Sequence, residues 1–345
     1  MPAAIYYRGE KSVYSHFYSA SFTINGITYS CAEQTYQKVK VSSSGDHDTA
    51  VSIQQEPLGR KIKALSKRMM PQIAGFSHKW DLVKELCMLR IDYEKFSQNA
   101  DLKQVLIDSF PKFLREDLPD PVWGFGNGRG QNLAGKILER VRHSLRTGSS
   151  TALPICIAAG DSLLSGLHSL VPNAEVVSVP GANRMFLTTV VSMIAGPYVR
   201  ACLILVGTND LVSKEGVVSS AKRIAKKLLK WASSHAECNP SQILILCTLL
   251  PRPCNIGTRV DKSVEQFHEV LLNARSDSAL PANIQICDPT PMFYDHAYFS
   301  VDGLHLSFSE NAVGGYGNEL PRKNRWEVEG PGFPIRGGIS YTRPT

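Results

Sequence analysis

Ile155-Cys156-Ile157-Ala158-Ala159-Gly160-Asp161-Ser162-Leu163-Leu164 reads as a short buried strand that runs into a Gly-Asp-Ser turn and then a helix, which places Ser162 where a sheet ends. Open α/β sheets carry their chemistry along that edge. Working outward, apolar runs recur at 155–159, 176–179, 201–206, 243–248 and 284–287, each separated by a helical stretch. The clearest helix spans 216–235, with Val217, Ala221, Ile224, Leu228 and Trp231 as its buried stripe and Lys222, Arg223, Lys226 and Lys227 outside it. Val264, Phe267 and Leu271 repeat the pattern. Five strands with intervening helices predict a three-layer α/β unit around a doubly wound parallel sheet.

A serine hydroxyl is a poor nucleophile until a base takes its proton. Asp302-Gly303-Leu304-His305 supplies a histidine, and a carboxylate three residues before it. Polar punctuation falls at the strand ends: Gly160-Asp161-Ser162 after the first, Pro180-Gly181-Ala182-Asn183 after the second, Gly207-Thr208-Asn209-Asp210 after the third. With Asp302 and His305 these blocks resemble the SGNH (GDS-type) hydrolases over residues 153 to about 310, a flavodoxin-like architecture. The resemblance implies Ser162 as nucleophile, His305 as its base and Asp302 as the group orienting that base. It also implies the Ser162 and Gly181 backbone amides and the Asn209 side chain as oxyanion donors, the kind of fixed dipole that stabilises a tetrahedral intermediate. His168, His235, His268 and His296 read as structural or surface residues.

The first half reads differently. Ile24-Asn25-Gly26-Ile27 predicts a hairpin. From Ala32 a helix sets Glu33, Tyr36, Gln37 and Lys40 at spacings of three and four, on one face. An ordinary polar helix surface has the same spacing. Residues 57–70 make a basic helix candidate, 79–97 another with Leu82, Leu86, Leu89 and Tyr93 at helical spacing, and 101–114 a third. A glycine-dense turn follows Asp120 and carries Trp123, and a helix over 135–145 closes the region. Such glycines let backbone approach a ligand or simply form a loop.

Taken in order, Phe17-Tyr18-Ser19, the Asn25-Gly26 hairpin, Ala32-Glu33-Gln34, Tyr36-Gln37, Lys40, Gly59-Arg60, Trp80, Lys95-Phe96-Ser97-Gln98-Asn99, Asp120, Trp123-Gly124 and Gln131-Asn132-Leu133 resemble the NADAR family over residues 5–146. The resemblance implies a compact, mostly helical fold that cleaves N-glycosidic bonds in phosphoribosyl intermediates of riboflavin synthesis or in ADP-ribosyl substrates, including ADP-ribosylated guanine in DNA. It implies Glu33, Trp80 and Asp120 as catalytic, with Lys40 beside them, and Arg8, Tyr36, Arg60, Trp123 and Asn132 near the ligand. A carboxylate suits charge building on a ribosyl carbon, and a second acid suits protonating the leaving base or activating water. His16 stands where the family has an asparagine, and the segment between Trp123-Gly124 and Gln131 is short.

The whole is thus expected to be α+β, a mostly helical unit over 1–148, a linker over 149–154, the α/β unit over 155–310 and a Gly/Pro-rich tail over 311–345. The 345 residues allow two cores. Residues 1–148 hold 21 Lys and Arg against 15 Asp and Glu, so about six of the net +7 charges fall there. That excess suits a phosphate-bearing substrate or nucleic acid. Eight scattered cysteines without Cys-x-x-Cys pairs argue for reduced core thiols and no zinc site. No metal or cofactor is expected, no apolar run reaches membrane-spanning length, and a cytoplasmic or nuclear location follows. The rival reading is a non-catalytic module that binds ADP-ribose or nucleic acid beside a degenerate hydrolase scaffold. Oligomeric state is left open.

Overall fold

The structure, a computed structural model, describes residues 3–57, 59–69, 76–165, 174–211, 221–250, 259–278 and 280–289. They fall within one compact unit, residues 1–306. The expected tail over 311–345 lies outside the described residues. The N-terminal region opens with β1 (Ala4–Tyr7) and the antiparallel hairpin of β2 (Phe22–Ile24) and β3 (Ile27–Tyr29). Asn25 and Gly26 have φ of 50° and 76°, which a type I′ turn requires and this dipeptide tolerates. Helices α1 (Ala32–Ser44), α2 (His47–Gln55), α3 (Gly59–Met69), α4 (Phe76–Asp81), α5 (Lys84–Ser97) and α6 (Ala100–Asp108) follow. Strand β4 (Phe113–Glu116) then pairs in parallel with β1, Ala4 opposite Phe113, and α7 (Leu133–Thr147) closes the region.

One expected helix is interrupted and another ends early. The 79–97 helix breaks between α4 and α5, where the Val83 amide bonds the Trp80 carbonyl at 3.1 Å. The break buries both Trp80 and Val83 and leaves Leu82, expected in the buried stripe, 45% exposed. The 101–114 helix stops at Asp108 because Pro111 has no amide to continue it. Leu114 and Glu116 then point inward at strand alternation.

The C-terminal region contains β5 (Cys156–Gly160), β6 (Glu175–Ser178), α8 (Arg184–Ile194), β7 (Ala201–Leu205), α9 (Thr208–Leu211), α10 (Ala221–Cys238), β8 (Ile243–Cys247), α11 (Arg259–Arg275) and β9 (Ile284–Cys287). All five apolar runs are strands of one parallel sheet, ordered β6-β5-β7-β8-β9. Strand order therefore reverses direction at β5. Period-two alternation divides the strands: Ile157, Ala159, Cys202, Ile204, Leu244, Leu246, Ile284 and Ile286 enter the main core. Ala158, Leu205 and Cys247 join a smaller cluster with Leu163 and Leu164 on the other face. An apolar surface on both faces is what a parallel sheet covered on both sides needs. Helices α8, α10 and α11 pack side by side in that order.

Helix α8 is apolar on nearly every side, with Phe186, Leu187, Val190, Val191, Met193 and Ile194 buried, and a helix of that kind must be enclosed. It touches α1 and α5 on one side and α10 and β5 on the other. The main core accordingly runs without interruption from Tyr7 to Ile286. The connection after α7 packs down as well. Leu153 is buried, and Arg140 Nε donates to the Ala152 carbonyl at 3.1 Å.

Candidate functional site

The inner face of α1 carries the first candidate site. Glu33 is 5% exposed, its backbone amide donates to the His16 carbonyl, and its carboxylate accepts from Gln37 Nε2 at 2.9 Å. The oxygen of that same amide, Gln37 Oε1, is buried without a hydrogen-bond partner. An amide oxygen so placed can accept a hydrogen bond from a polar group brought beside Glu33.

One turn along, the Tyr36 hydroxyl accepts from Trp80 Nε1 at 2.8 Å, and the two rings meet edge to face at 5.2 Å. Trp123 closes on the other side of Tyr36 at 5.6 Å and reaches His16 at 6.0 Å. Trp80 is almost wholly buried and stacks on Phe76, whereas Trp123 is half-buried. His16 bonds Asp92 at 3.2 Å inside the core. Burial alone would push its pKa down, but the Asp92 charge and hydrogen bond outweigh that and raise it. Behind them the buried Lys95 ammonium donates to the Val13 and Ser15 carbonyls, and burial pulls its pKa down to about 8.

The rim is cationic. Lys40 lies half-buried at the end of the same helix face, and burial lowers its pKa against the opposing pull of Asp81 and Glu33. Lys84 and Lys63 add like charge to it. Lys63 also faces Glu116, a buried carboxyl raised by burial and by Asp120 and lowered by His16. The sequence spacing did not single out Lys63 and Glu116: one sits in a generally basic helix, the other in a strand whose pairing with β1 only the fold reveals.

Asp120 starts the glycine-dense turn. Its Oδ1 accepts from the Val122 and Trp123 amides at 2.9 and 2.8 Å, so the carboxylate fixes the position of Trp123. Together with Arg8, Asn127 and Arg129 it lines an open cleft of about 670 Å³, which does not include Glu33 or Trp80. The glycines here serve the loop's own packing: a Cβ at Gly124 would lie 2.1 Å from the Leu118 carbonyl oxygen, and at Gly130 2.2 Å from that of Gly124. Asn132 is likewise engaged with backbone, accepting from the Glu116 amide and donating to the Leu114 carbonyl. Arg60 lies on α3, with its side chain outside the described residues.

The second candidate site lies at the carboxyl edge of the sheet, where strand order reverses. Ser162 opens a 3-10 turn directly after β5, capped by Asp161, whose carboxylate accepts from the Leu163 amide at 3.0 Å. Asn209, at the start of α9 just past β7, donates to the Ala182 carbonyl at 2.9 Å and the Asp161 carboxylate at 3.3 Å. Gly181, with φ of 68°, turns the chain between β6 and α8, and its carbonyl accepts from Lys79 of α4. The edge thus assembles the turn residues from three strand ends. Asp302 and His305 lie outside the described residues. Helix α4 touches both sites, through Trp80 to Tyr36 and through Lys79 to Gly181. Among the described residues no group of three His, Cys, Asp or Glu side chains forms a metal site, and no helix is long and apolar enough to cross a membrane.

Glu33 is thus a buried carboxylate on a helix face shared with Tyr36 and Lys40, in a mostly helical region. The NADAR domain model matches residues 5–146, and the chain belongs to the NADAR family. It is 30% identical to N-glycosidase Npun_R5314 of Nostoc punctiforme, over 39% of this chain and 85% of that one. Protein irg-1 of Caenorhabditis elegans is 28% identical over 39% and 76% of the two chains. N-glycosidase YbiA of Escherichia coli is 26% identical over 38% and 80%. Among solved structures, E. coli YbiA aligns with a TM-score of 0.38 at 23% identity, over 42% of this chain and 85% of that one. A candidate acylhydrolase of Bacteroides fragilis aligns with a TM-score of 0.37 at 16% identity, over 46% and 80%.

Proposed function

We propose that residues 5–146 hydrolyse the N-glycosidic bond of an ADP-ribosyl or phosphoribosyl substrate, ADP-ribosylated guanine in nucleic acid and a riboflavin-pathway type of intermediate being the two candidates. The observation that carries this reading is Glu33, buried, bonded to the Gln37 amide whose oxygen is unpartnered, and within electrostatic reach of Lys40. As the bond from ribosyl carbon to base nitrogen breaks, its electron pair leaves with the nitrogen and positive charge builds on the sugar. Glu33 stabilises or traps that charge, while Asp120 protonates the departing nitrogen or takes a proton from the attacking water. Half-buried Trp123 offers the base an aromatic face. Trp80 acts from behind by holding Tyr36. Arg8, Arg129, Lys40 and Lys63 supply charge for phosphates.

A second route is favoured by the lowered pKa of Lys40. Its neutral amine adds to the carbon of a ring-opened ribosyl imine, expels the base amine and leaves a lysine imine that water then hydrolyses. Borohydride would trap that imine on Lys40, and an unmodified Lys40 under turnover excludes the route.

For residues 155–310 we propose serine esterase chemistry. Ser162 Oγ attacks an ester carbonyl as His305, oriented by Asp302, takes its proton and returns it to the leaving alkoxide; water then releases the acyl group. The Ser162 and Gly181 amides are the oxyanion donors, and the Asn209 side chain joins them by giving up its long 3.3 Å bond to Asp161. Assays of Glu33→Ala against ADP-ribosylated guanosine and of Ser162→Ala against an activated acetyl ester test the two assignments separately. Each variant should lose one activity and keep the other. Tight ADP-ribose binding without turnover, insensitive to Asp120→Asn, would instead make the first half a binding module.

A further inference from the structure

We propose that the outer face of α10 binds the phosphate backbone of a nucleic acid, at a surface separate from both candidate catalytic sites. Lys222, Arg223, Lys226, Lys227 and Lys230 are all exposed there and together line a shallow depression of about 370 Å³. They form two rows, Lys222-Lys226-Lys230 and Arg223-Lys227, in which successive cations rise about 6 Å along the axis. Within the rows, and across them at Arg223/Lys226 and Lys227/Lys230, like charges stand three or four residues apart, an arrangement that weakens a helix. No acidic residue lies on the helix before Glu237, so nothing within it offsets the repulsion. Glu269 of α11 answers Lys222 at 2.9 Å. A polyanion with regularly spaced charges would relieve the repulsion along the rows.

The chemistry of the face selects among polyanions. A helix that lies on a lipid surface inserts its apolar side, but Ile224, Ala225, Leu228 and Ala232 of α10 are buried in the fold. A protein partner needs buried apolar or aromatic anchors at the centre of its interface. Here ammonium and guanidinium groups alone line the depression, and Trp231, beside it on the helix, is held by a 2.9 Å bond from Nε1 to Ser192 Oγ. Trp231 also walls a groove of about 270 Å³ shared with Asn25, Tyr29 and Lys38, so the cationic face adjoins the region that carries Glu33. The inference stands whether or not Glu33 or Ser162 is catalytic.

The test is fluorescence anisotropy of the full chain with a short labelled DNA duplex across a salt series. Lys226→Glu/Lys227→Glu/Lys230→Glu should bind at least about tenfold more weakly at low salt, and its log K against log salt slope should flatten by about 2 to 3, near 0.9 for each phosphate no longer neutralised. The neutral triple Lys→Gln variant, a check should charge reversal disturb folding, should flatten the slope as well. Wild-type protein that ignores the duplex at low salt would overturn the proposal. So would variants that bind it as tightly as wild type, or binding that favours phosphatidylserine vesicles or polyglutamate over the duplex.

Discussion

In the N-terminal region the candidate carboxylate sits on the inner face of a helix, and the residues around it are also the residues that hold the region together. Tyr36, Trp80, His16 and Asp92 are at once the walls of the Glu33 site and part of the buried interior. In the C-terminal region Ser162, Gly181 and Asn209 stand just past the ends of finished strands, with the sheet's core behind them. The first site is inseparable from its fold, the second is mounted upon one. Substitutions should therefore act differently in the two places: a change at the first should cost stability together with any activity, a change at the second activity alone.

The largest stability effect is expected at Asp92. Breaking a buried pair typically costs about 3–5 kcal/mol, so Asp92→Asn should lower urea-unfolding stability by an amount of that order at mildly acid pH. The raised pKa of His16 lies above that of an unfolded histidine, near 6.5. Its contribution is complete below that pH and fades as pH rises through the folded value, so the gap between wild type and variant should narrow with rising pH to the part the Asp92 charge gives the buried Lys95 ammonium. A difference independent of pH would show that His16 does not carry it. Trp80→Phe comes next, since it removes the donor to a buried Tyr36 hydroxyl and should cost about 1–3 kcal/mol. At the strand-end site, Ser162→Ala should stay within about 1 kcal/mol of wild type, and a loss as large as at Trp80 would erase the contrast. Lys79→Met, which cuts the exposed bond to Gly181, should change stability by no more than about 1 kcal/mol.

A last and smaller effect belongs to the sheet edge. Cys247 and Cys287 face each other in register on β8 and β9, and the Cys247 thiol bonds Cys287 and brings its pKa down to about 7. Alkylation of Cys287 should reach half its maximal rate near pH 7 and shift toward the usual thiol value, about 8.5, in Cys247→Ala. An unchanged profile would remove the thiol–thiol bond as the cause.

The same contrast explains how much could be read from sequence. Strand ends are punctuated by Gly, Asn, Asp and Ser, because turns need those residues, so the five strands and the Asp161, Gly181 and Asn209 positions are legible in the chain itself. A functional helix face shares its period with the core. Glu33, Tyr36 and Lys40 have the spacing of any polar helix surface, and only the family pattern singles them out. Gln37 Oε1, Lys63, Glu116 and the His16–Asp92 pair become visible only once α1, α3, β4 and α5 are packed together. The break at Leu82 escapes a sequence reading, because the stretch satisfies helical periodicity and tertiary burial of Val83 decides otherwise. The end of α6 is signalled in the chain by Pro111, which a reading by periodicity alone passes over.

Whether Glu33 cleaves a ribosyl–nitrogen bond is tested most directly by single-turnover release of guanosine from ADP-ribosylated guanosine, compared between wild type and Glu33→Gln with ADP-ribose affinity measured alongside. The expected result is a rate loss of about 10²–10⁴ in the variant with affinity retained. Equal rates in the two proteins would contradict that role for Glu33.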